Sequence, residues 1–241
     1  MNQTQDMIFM GIDLDEKEIS ILQLSDSFFP TGLYATSSGL EALSQTKKLK
    51  SKDISQFISL QLQQVMGPSD CTAMGCAYQS CKKNDIVSLL HADELLYHMK
   101  LIEEIRIAST RSGSQLLKCV STFTKNKKML KEYQIAINKG KATGVYAVSF
   151  GVVTSSLNIP KKKAGMMLLY GLAVSIVGAA LRLGIVQHFE GQKIIHELGP
   201  VILHAVLENI DRPISSMWQF APSLDILQMK HEVQSSKMFI T

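Results

Sequence analysis

The sequence predicts an all-α fold, a single-domain bundle of about ten helices, on three observations. Apolar residues recur at the three- and four-residue spacing of an amphipathic helix along nearly the whole chain. Glycine, proline and asparagine interrupt these runs at short intervals. The sequence shows no internal repeat, low-complexity tract or long linker. At 241 residues and 46 % hydrophobic content, the chain is long enough to bury one substantial core.

The clearest helix is predicted over 54–66, where apolar side chains share one face. Ser51 suits its N-cap, Asp53 suits its first turn, and Gly67 with Pro68 predicts its end. Further helices are predicted from the same pattern: one from 86, one from 101 toward 120 with a break at 126–128, a short one closed by Lys139 and Gly140, and one over 191–209 with a break at Gly199 and Pro200.

Two apolar segments leave alternatives open. The stretch 145–153 is rich in valine and favours a strand on propensity, but a single buried strand would have no partner, so we predict a helix. The stretch 165–181 is about 17 residues long, which is the short limit for crossing a bilayer. A membrane hairpin of the two segments is one interpretation. Small residues at Gly171, Ser175 and Gly178 fit a core helix or a dimer contact equally well.

Composition and cysteine spacing argue against several kinds of partner and site. The net charge is only +4, and no aromatic side chains alternate with the lysines, so nucleic acid is a poor candidate partner. Cys71, Cys76 and Cys81 are five residues apart and would point in three directions on a helix, which predicts structural thiols rather than metal ligands. The first 18 residues lack the features of a secretory signal, and we expect a cytoplasmic protein.

No common catalytic motif is present. The chain has no phosphate-binding loop, no nucleophile elbow and no H-E-x-x-H pair. His91 and His98 are two helical turns apart, about 10 Å, which is too far to bind one ion. Glu103 and Glu104 beside Arg106 are typical of charge pairing on a helix. The sequence therefore predicts a non-catalytic protein, with an enzyme built from scattered residues as the alternative.

One stretch, 22–41, carries a distinctive motif. It reads LQLSDSFFPTGLYATSSGLE and predicts a helix to about 28–29, a turn at Pro30 and Gly32, and a second helix over about 37–47. It resembles the opening helix pair of the urease accessory protein F (UreF) family. The matching positions are Asp26, Pro30, Gly32, Tyr34, Ser37, Gly39 and Glu41.

Three more stretches resemble the same family in the same order. They are RIASTRSGSQLL at 106–117, VGAALRLGIVQHFEGQ at 177–192 and LDILQMKHEVQSSKMFIT at 224–241. The sequence departs from the family pattern in a few places: Thr36 and Ser38 replace residues that are often histidine or aromatic, Ile185 and Val186 replace a proline–glycine pair, and Lys237 replaces an arginine. Because lysine lacks the planar fork of arginine, the last change alters how a partner would be bound.

The resemblance implies a non-catalytic, dimeric, all-α protein that bridges the UreD/UreH scaffold and the GTPase UreG in the complex that loads nickel into apo-urease. It implies that the chain binds no cofactor directly and that the assembled complex handles nickel. It also divides the chain into a flexible N-terminal tail at 1–17, an all-helical domain at 18–222 and a partner-binding tail at 223–241.

The four motifs supply candidate partner-binding residues. They are Asp26, Pro30, Gly32, Tyr34, Ser37, Gly39, Glu41, Arg182, Gln187, Gln192, Asp225, His231, Glu232, Lys237 and Phe239. We expect the turn at 30–41 and the stretch 182–192 to form a polar patch for the GTPase. We expect the tail at 225–241 to be mobile alone and to become ordered on the scaffold protein.

Overall fold

The computed structural model describes residues 16–124 and 127–241, and within them every regular element is a helix. The α-helices are α1 (Glu16–Ser25), α2 (Leu40–Thr46), α3 (Ser51–Gln61), α4 (Thr72–Lys83), α5 (Ile86–Met99), α6 (Glu103–Ser121), α7 (Lys128–Asn138), α8 (Tyr146–Ser156), α9 (Lys161–Arg182), α10 (His188–Glu197), α11 (Gly199–Asn209) and α12 (Pro222–Glu232). Short 3-10 helices lie at Leu33–Ala35 and Ile214–Ser216. The predicted all-α fold is confirmed.

Helix α8 lies at the centre of the core. All of its residues from Tyr146 to Ser155 are buried, and α4, α6, α7 and α9 pack around it. Gly151 lets α4 approach closely, because a Cβ atom there would lie 2.5 Å from the carbonyl oxygen of Met74. A helix that is buried on every side has no amphipathic stripe, which explains why its sequence also fits a strand pattern.

The chain continues as a helix through Gly67 and Pro68, so the predicted end of a helix at this point is wrong. Residues Leu62–Cys71 form a π-helical segment that joins α3 to α4. Proline normally interrupts a helix because it lacks an N–H and its ring crowds the preceding turn. The wider π turn accommodates Pro68, and Gly67 has no side chain to collide with the carbonyl oxygen of Leu62, 2.6 Å from the position of its missing Cβ.

Two predicted boundaries in the motif at 22–41 also differ from the structure. Helix α1 ends at Ser25 rather than at 28–29, and α2 begins at Leu40 rather than at 37. The intervening chain needs left-handed backbone at Gly32 (φ 80°), Ser38 (φ 54°) and Gly39 (φ 89°), which no α-helix contains. Below, residues 26–41 are called the turn segment.

The expected flexible tail at 1–17 lies almost entirely outside the described residues, and α1 begins at Glu16. Asn126, in the predicted break at 126–128, also lies outside them, while α6 ends at Ser121 and α7 begins at Lys128 on either side. The breaks near Gly140 and Gly199 are confirmed.

Helix α9 is the one described helix whose length and composition would allow it to cross a membrane. Its mean hydropathy reaches 2.0, but 61 % of the relevant window is buried inside the protein. Helix α8, the other half of the hairpin considered above, has 11 residues and spans only about 16 Å. Both apolar segments therefore serve as core helices in this fold.

Cys71, at the end of the π-helical segment, and Cys81, in α4, are structural thiols. Cys71 and Cys81 are free and buried, and burial raises the pKa of each thiol to about 12. A thiol with such a pKa is almost entirely protonated at neutral pH and is a poor nucleophile and metal ligand.

A buried carboxylate connects α5 to the start of α8. Asp93 has no exposed surface, and its oxygens accept hydrogen bonds from the Tyr133 hydroxyl (2.6 Å) and from the backbone N–H groups of Gly144 (3.1 Å) and Val145 (3.0 Å). Thr143 donates to it through its backbone N–H and its hydroxyl (2.8 Å). Asp93 thus satisfies N–H groups at the N-terminus of α8 that the helix itself leaves unpaired.

We expect Asp93→Asn to lower the free energy of unfolding by about 3 kcal/mol, because an amide nitrogen would face donors that now share a charged acceptor. Urea denaturation followed by circular dichroism measures this change. Glu94→Gln, at the exposed neighbouring position on α5, is the matched control and should change stability by less than about 0.5 kcal/mol. An equal effect of the two substitutions would contradict this role of Asp93.

A candidate partner-binding surface

The turn segment is held in a fixed shape by local hydrogen bonds. The side chain of Asp26 accepts from the Phe28 N–H (2.9 Å), and the side-chain amide of Gln61 donates to the carbonyl oxygen of Ser38 (2.9 Å). Gly39 allows α12 to approach, because a Cβ atom there would lie 3.2 Å from Cγ of Gln228. The candidate residues Pro30, Gly32 and Gly39 therefore shape the backbone rather than offer side-chain chemistry.

The closing segment, residues 233–241, packs against the turn segment. The backbone N–H of Ile240 donates to the carbonyl oxygen of Ala35 (2.8 Å). The backbone N–H and the hydroxyl of Ser37 both donate to the carbonyl oxygen of Thr241, at 2.7 and 2.5 Å. Three hydrogen bonds between stretches some 200 positions apart in sequence thus join the two segments.

The carboxylate of Glu41 is the centre of this junction. It is 6 % exposed and accepts the backbone N–H groups of Met238 (2.8 Å) and Phe239 (3.1 Å) and the Nε2 atom of His231 (2.9 Å). Burial acts to raise the pKa of Glu41, but these hydrogen bonds and the imidazole outweigh burial and hold the pKa below 4.5. The carboxylate is therefore ionised at neutral pH.

Glu104 completes the junction from α6. Its carboxylate lies 2.8 Å from Nδ1 of His231 and 2.7 Å from the ammonium group of Lys237, and its backbone N–H donates to Glu232 (3.1 Å). The predicted pairing of Glu104 with Arg106 is therefore wrong. Arg106 instead donates to the carbonyl oxygens of Lys100 (2.7 Å) and Leu101 (2.8 Å).

Arg182 joins α9 to the same junction. Its guanidinium lies 4.4 Å from the ring centroid of Phe239 and 6.0 Å from that of Tyr34, and it donates to the carbonyl oxygens of Tyr34 and Gly178. A guanidinium over an aromatic face contributes about 0.5–2 kcal/mol, depending on its hydration. The Phe239 ring is buried beneath Arg182, whereas Tyr34 is 68 % exposed.

Three candidate residues lie elsewhere. Gln187 is the N-cap of α10, where its backbone N–H donates to Glu190, and Gln192 is exposed further along that helix. Asp225 lines a partly open cavity of about 100 Å³ beneath α12, and burial raises the pKa of its carboxyl group. The structure therefore brings Arg182 to the turn segment but leaves the glutamines of the predicted polar patch apart from it.

The predicted mobile tail at 225–241 differs from the structure. Helix α12 occupies its first part, and the side chains of Leu224, His231 and Phe239 are each less than 5 % exposed. The physical reason is that Glu41 and Glu104 provide buried partners for the tail within the same chain. Whether partners bind here stays a prediction.

Glu104 is the residue of the junction that sequence reasoning missed. Two adjacent glutamates at the start of a helix are ordinary, since they complement the positive end of the helix dipole. The one signal was His231, a histidine inside an otherwise helical motif whose carboxylate partners lie 127 and 190 positions away. Among the described residues, no cluster of histidine, cysteine, aspartate or glutamate has a geometry suitable for a metal ion.

An apolar groove of about 260 Å³ adjoins the junction. It lies between α1, the turn segment and α9, and Gly171, Ser175 and Gly178 form part of its floor. Apart from Gly171 itself, its two chain neighbours and the adjacent backbone of α9, no described atom lies within 4 Å of the position of a Cβ on Gly171. These small residues therefore face an open groove instead of a packed helix of the same chain.

We expect Glu41→Gln to lower the free energy of unfolding by about 2 kcal/mol, because a neutral amide replaces the buried ionised acceptor of two N–H groups and an imidazole. The loss should shrink as the pH falls below 4.5, because protonation then removes the contribution of Glu41 from the wild type as well. Urea denaturation at pH 7 and at pH 4 measures both values. Glu197→Gln, in the exposed pair with Lys193, is the matched control and should have little effect at either pH.

Comparison with known proteins agrees with this architecture. The UreF family model matches residues 50–199, more than half of the chain. The chain is 36 % identical over 228 residues to the urease accessory protein UreF of Trichodesmium erythraeum, covering 94 % of this chain and 97 % of that protein. It is 29 % identical to the urease accessory protein UreF 1 of Brucella melitensis, with 92 % of both chains covered, and 28 % identical to UreF of Bacillus sp. strain TB-90, with 92 % and 98 % covered. The chain therefore belongs to the UreF family of urease accessory proteins.

Proposed function

We propose that this urease accessory protein acts without catalysis, by bridging the UreD/UreH scaffold and the GTPase UreG in the complex that inserts nickel into apo-urease. The proposal places the protein in the cytoplasm, in keeping with its free cysteines. Nickel is the cargo of the assembled complex, and this chain contributes a shaped surface.

The observation that supports the bridging role is the junction of the turn segment, the closing segment and Arg182. Buried hydrogen bonds hold three distant stretches of chain in one arrangement, yet Tyr34 and Met238 remain 68 % and 61 % exposed on it. Large exposed side chains often dominate the energy of an interface, and a backbone that is already held in place has little further entropy to lose on binding. Because the turn segment and the closing segment are joined by hydrogen bonds, a partner can contact both at once.

We expect the pair of substitutions Tyr34→Ala and Met238→Ala to lower capture of the scaffold protein or the GTPase at least about tenfold, the loss for 1.4 kcal/mol of binding energy. Copurification of the three proteins from the same genome measures this effect. Val87→Ala removes a side chain that is 75 % exposed on α5, and it should leave capture unchanged. Failure of the wild-type chain to capture either partner, or full capture by the double variant, would contradict the bridging role of this surface.

We further propose that a second copy of the chain covers the apolar groove at Gly171, Ser175 and Gly178. A groove with a floor of small residues lets the backbone of another helix come close, and apolar surface of this kind is stabilised when it is removed from water. The groove is lined by residues of α1, the turn segment, α8 and α9, so dimer formation would cover a face next to the junction.

We expect Gly171→Leu to convert the dimer to a monomer without unfolding it. The new side chain meets open space within the chain, and replacing glycine inside a helix favours the helix by about 0.5–1 kcal/mol. Light scattering measures the mass, and circular dichroism verifies the fold. Gly199→Leu, at a second glycine with open space around it, is the control. A Gly171→Leu protein that stays dimeric would show that the dimer contact lies elsewhere.

A further inference from the structure

The ring of His231 lies between two carboxylates on opposite sides. Its Nδ1 atom is 2.8 Å from Oε2 of Glu104 on α6, and its Nε2 atom is 2.9 Å from Oε2 of Glu41 on α2. The ring itself has no exposed surface, and the two carboxylates are 15 % and 8 % exposed. This arrangement joins α2, α6 and α12 through a single side chain.

The hydrogen bonds around the ring determine where protons can lie. Every carboxylate oxygen accepts another donor or faces the ring: Glu41 accepts the N–H groups of Met238 and Phe239, and Glu104 accepts the ammonium group of Lys237. With both side chains present as carboxylates, the ring faces only hydrogen-bond acceptors on its two sides. A neutral imidazole has one N–H and one lone pair, and its lone pair would face a carboxylate. Two hydrogen bonds to two carboxylates therefore require an N–H on each ring nitrogen.

We propose that His231 is a proton-dependent latch, which holds the closing segment on the turn segment while its ring is an imidazolium and releases it when the ring loses a proton. The charged groups that face the ring are Glu41 from α2 and Glu104 from α6. The ammonium group of Lys237 contacts the Glu104 carboxylate and partly balances its charge, whereas the carboxylate of Glu232 accepts the backbone N–H of Glu104 and adds a further negative charge nearby.

The sign of the pH dependence follows from this geometry. When the last turn of α12 and the closing segment are seated, His231 binds a proton between two carboxylates. In the released form His231 lacks these partners, so raising the pH favours release. On the acid side, the lowered pKa of Glu41 means that its contribution is lost only as the pH falls below 4.5. Release would unseat Phe239 from Arg182 and Met238 from Glu41, which removes the closing segment from the exposed surface described above.

The test uses the isolated full-length chain and needs no partner, so its outcome is independent of the bridging role. Nitrogen-15 NMR of the histidine rings should show both nitrogens of His231 protonated at pH 6. Amide exchange of Met238, Phe239 and Ile240, corrected for the intrinsic pH dependence, should lose protection as the pH rises from 6 to 9. The steepest loss expected is about tenfold per pH unit, the limit for one coupled proton.

The Glu104→Gln variant distinguishes a proton-dependent latch from a contact that is only structural. Its side-chain oxygen can still accept from Lys237, while its N–H₂ group can donate to the lone pair on Nδ1 of a neutral ring. The closing segment should therefore stay protected at pH 9, and the pH dependence of exchange should disappear. Glu197→Gln, at an exposed position of α10, should retain the pH dependence of exchange seen in the wild type. An unprotonated ring nitrogen in the seated wild type at pH 6, pH-independent exchange in the wild type, or an unchanged slope in Glu104→Gln would each overturn the proposal.

Discussion

The buried carboxylate of Glu41 is the interaction on which the functional surface depends. A carboxylate removed from water is costly unless hydrogen bonds replace its hydration. Here two backbone N–H groups and an imidazole replace it, and all three come from the last eleven residues of the chain. The surface that carries Tyr34, Arg182 and Met238 cannot form without these residues. Glu41 thus couples the arrangement of the turn segment to the position of the closing segment.

Much of the fold could be predicted because helix periodicity and breaking residues are local signals. The breaks at Gly140 and Gly199 follow directly from such signals. Pro68 shows where local reasoning fails: its effect depends on whether the helix can widen, and the π-helical segment that accommodates it is packed by α11 and α4. Helix α8 shows a second limit of local reasoning. Its residues favour a strand on propensity, yet the segment is a helix that is buried on all sides.

The sequence predicted most residues of the candidate site, but it did not predict which of them contact each other. The motifs supplied Glu41, His231, Lys237 and Phe239, and the structure brings these four together. Glu104 could not be assigned, because the side chain that decides its role lies 127 positions further along the chain. The same limit applies to the mobility expected of 225–241: composition showed a polar segment, and only the tertiary structure shows that buried partners hold it in place.

A buried network of charges is a weak source of net stability, since the cost of dehydration offsets most of the attraction between its members. Such a network instead specifies one position of the closing segment, because any other position would leave the carboxylate of Glu41 or Glu104 without its partner. An apolar contact such as Phe239 beneath Arg182 tolerates small shifts, whereas two carboxylates on either side of one ring do not. If the protein acts by binding partners, as proposed, a single defined position of the closing segment matters more for that role than added stability. The junction defines one surface, and the single proton that the two carboxylates require on His231 makes that surface responsive to its surroundings.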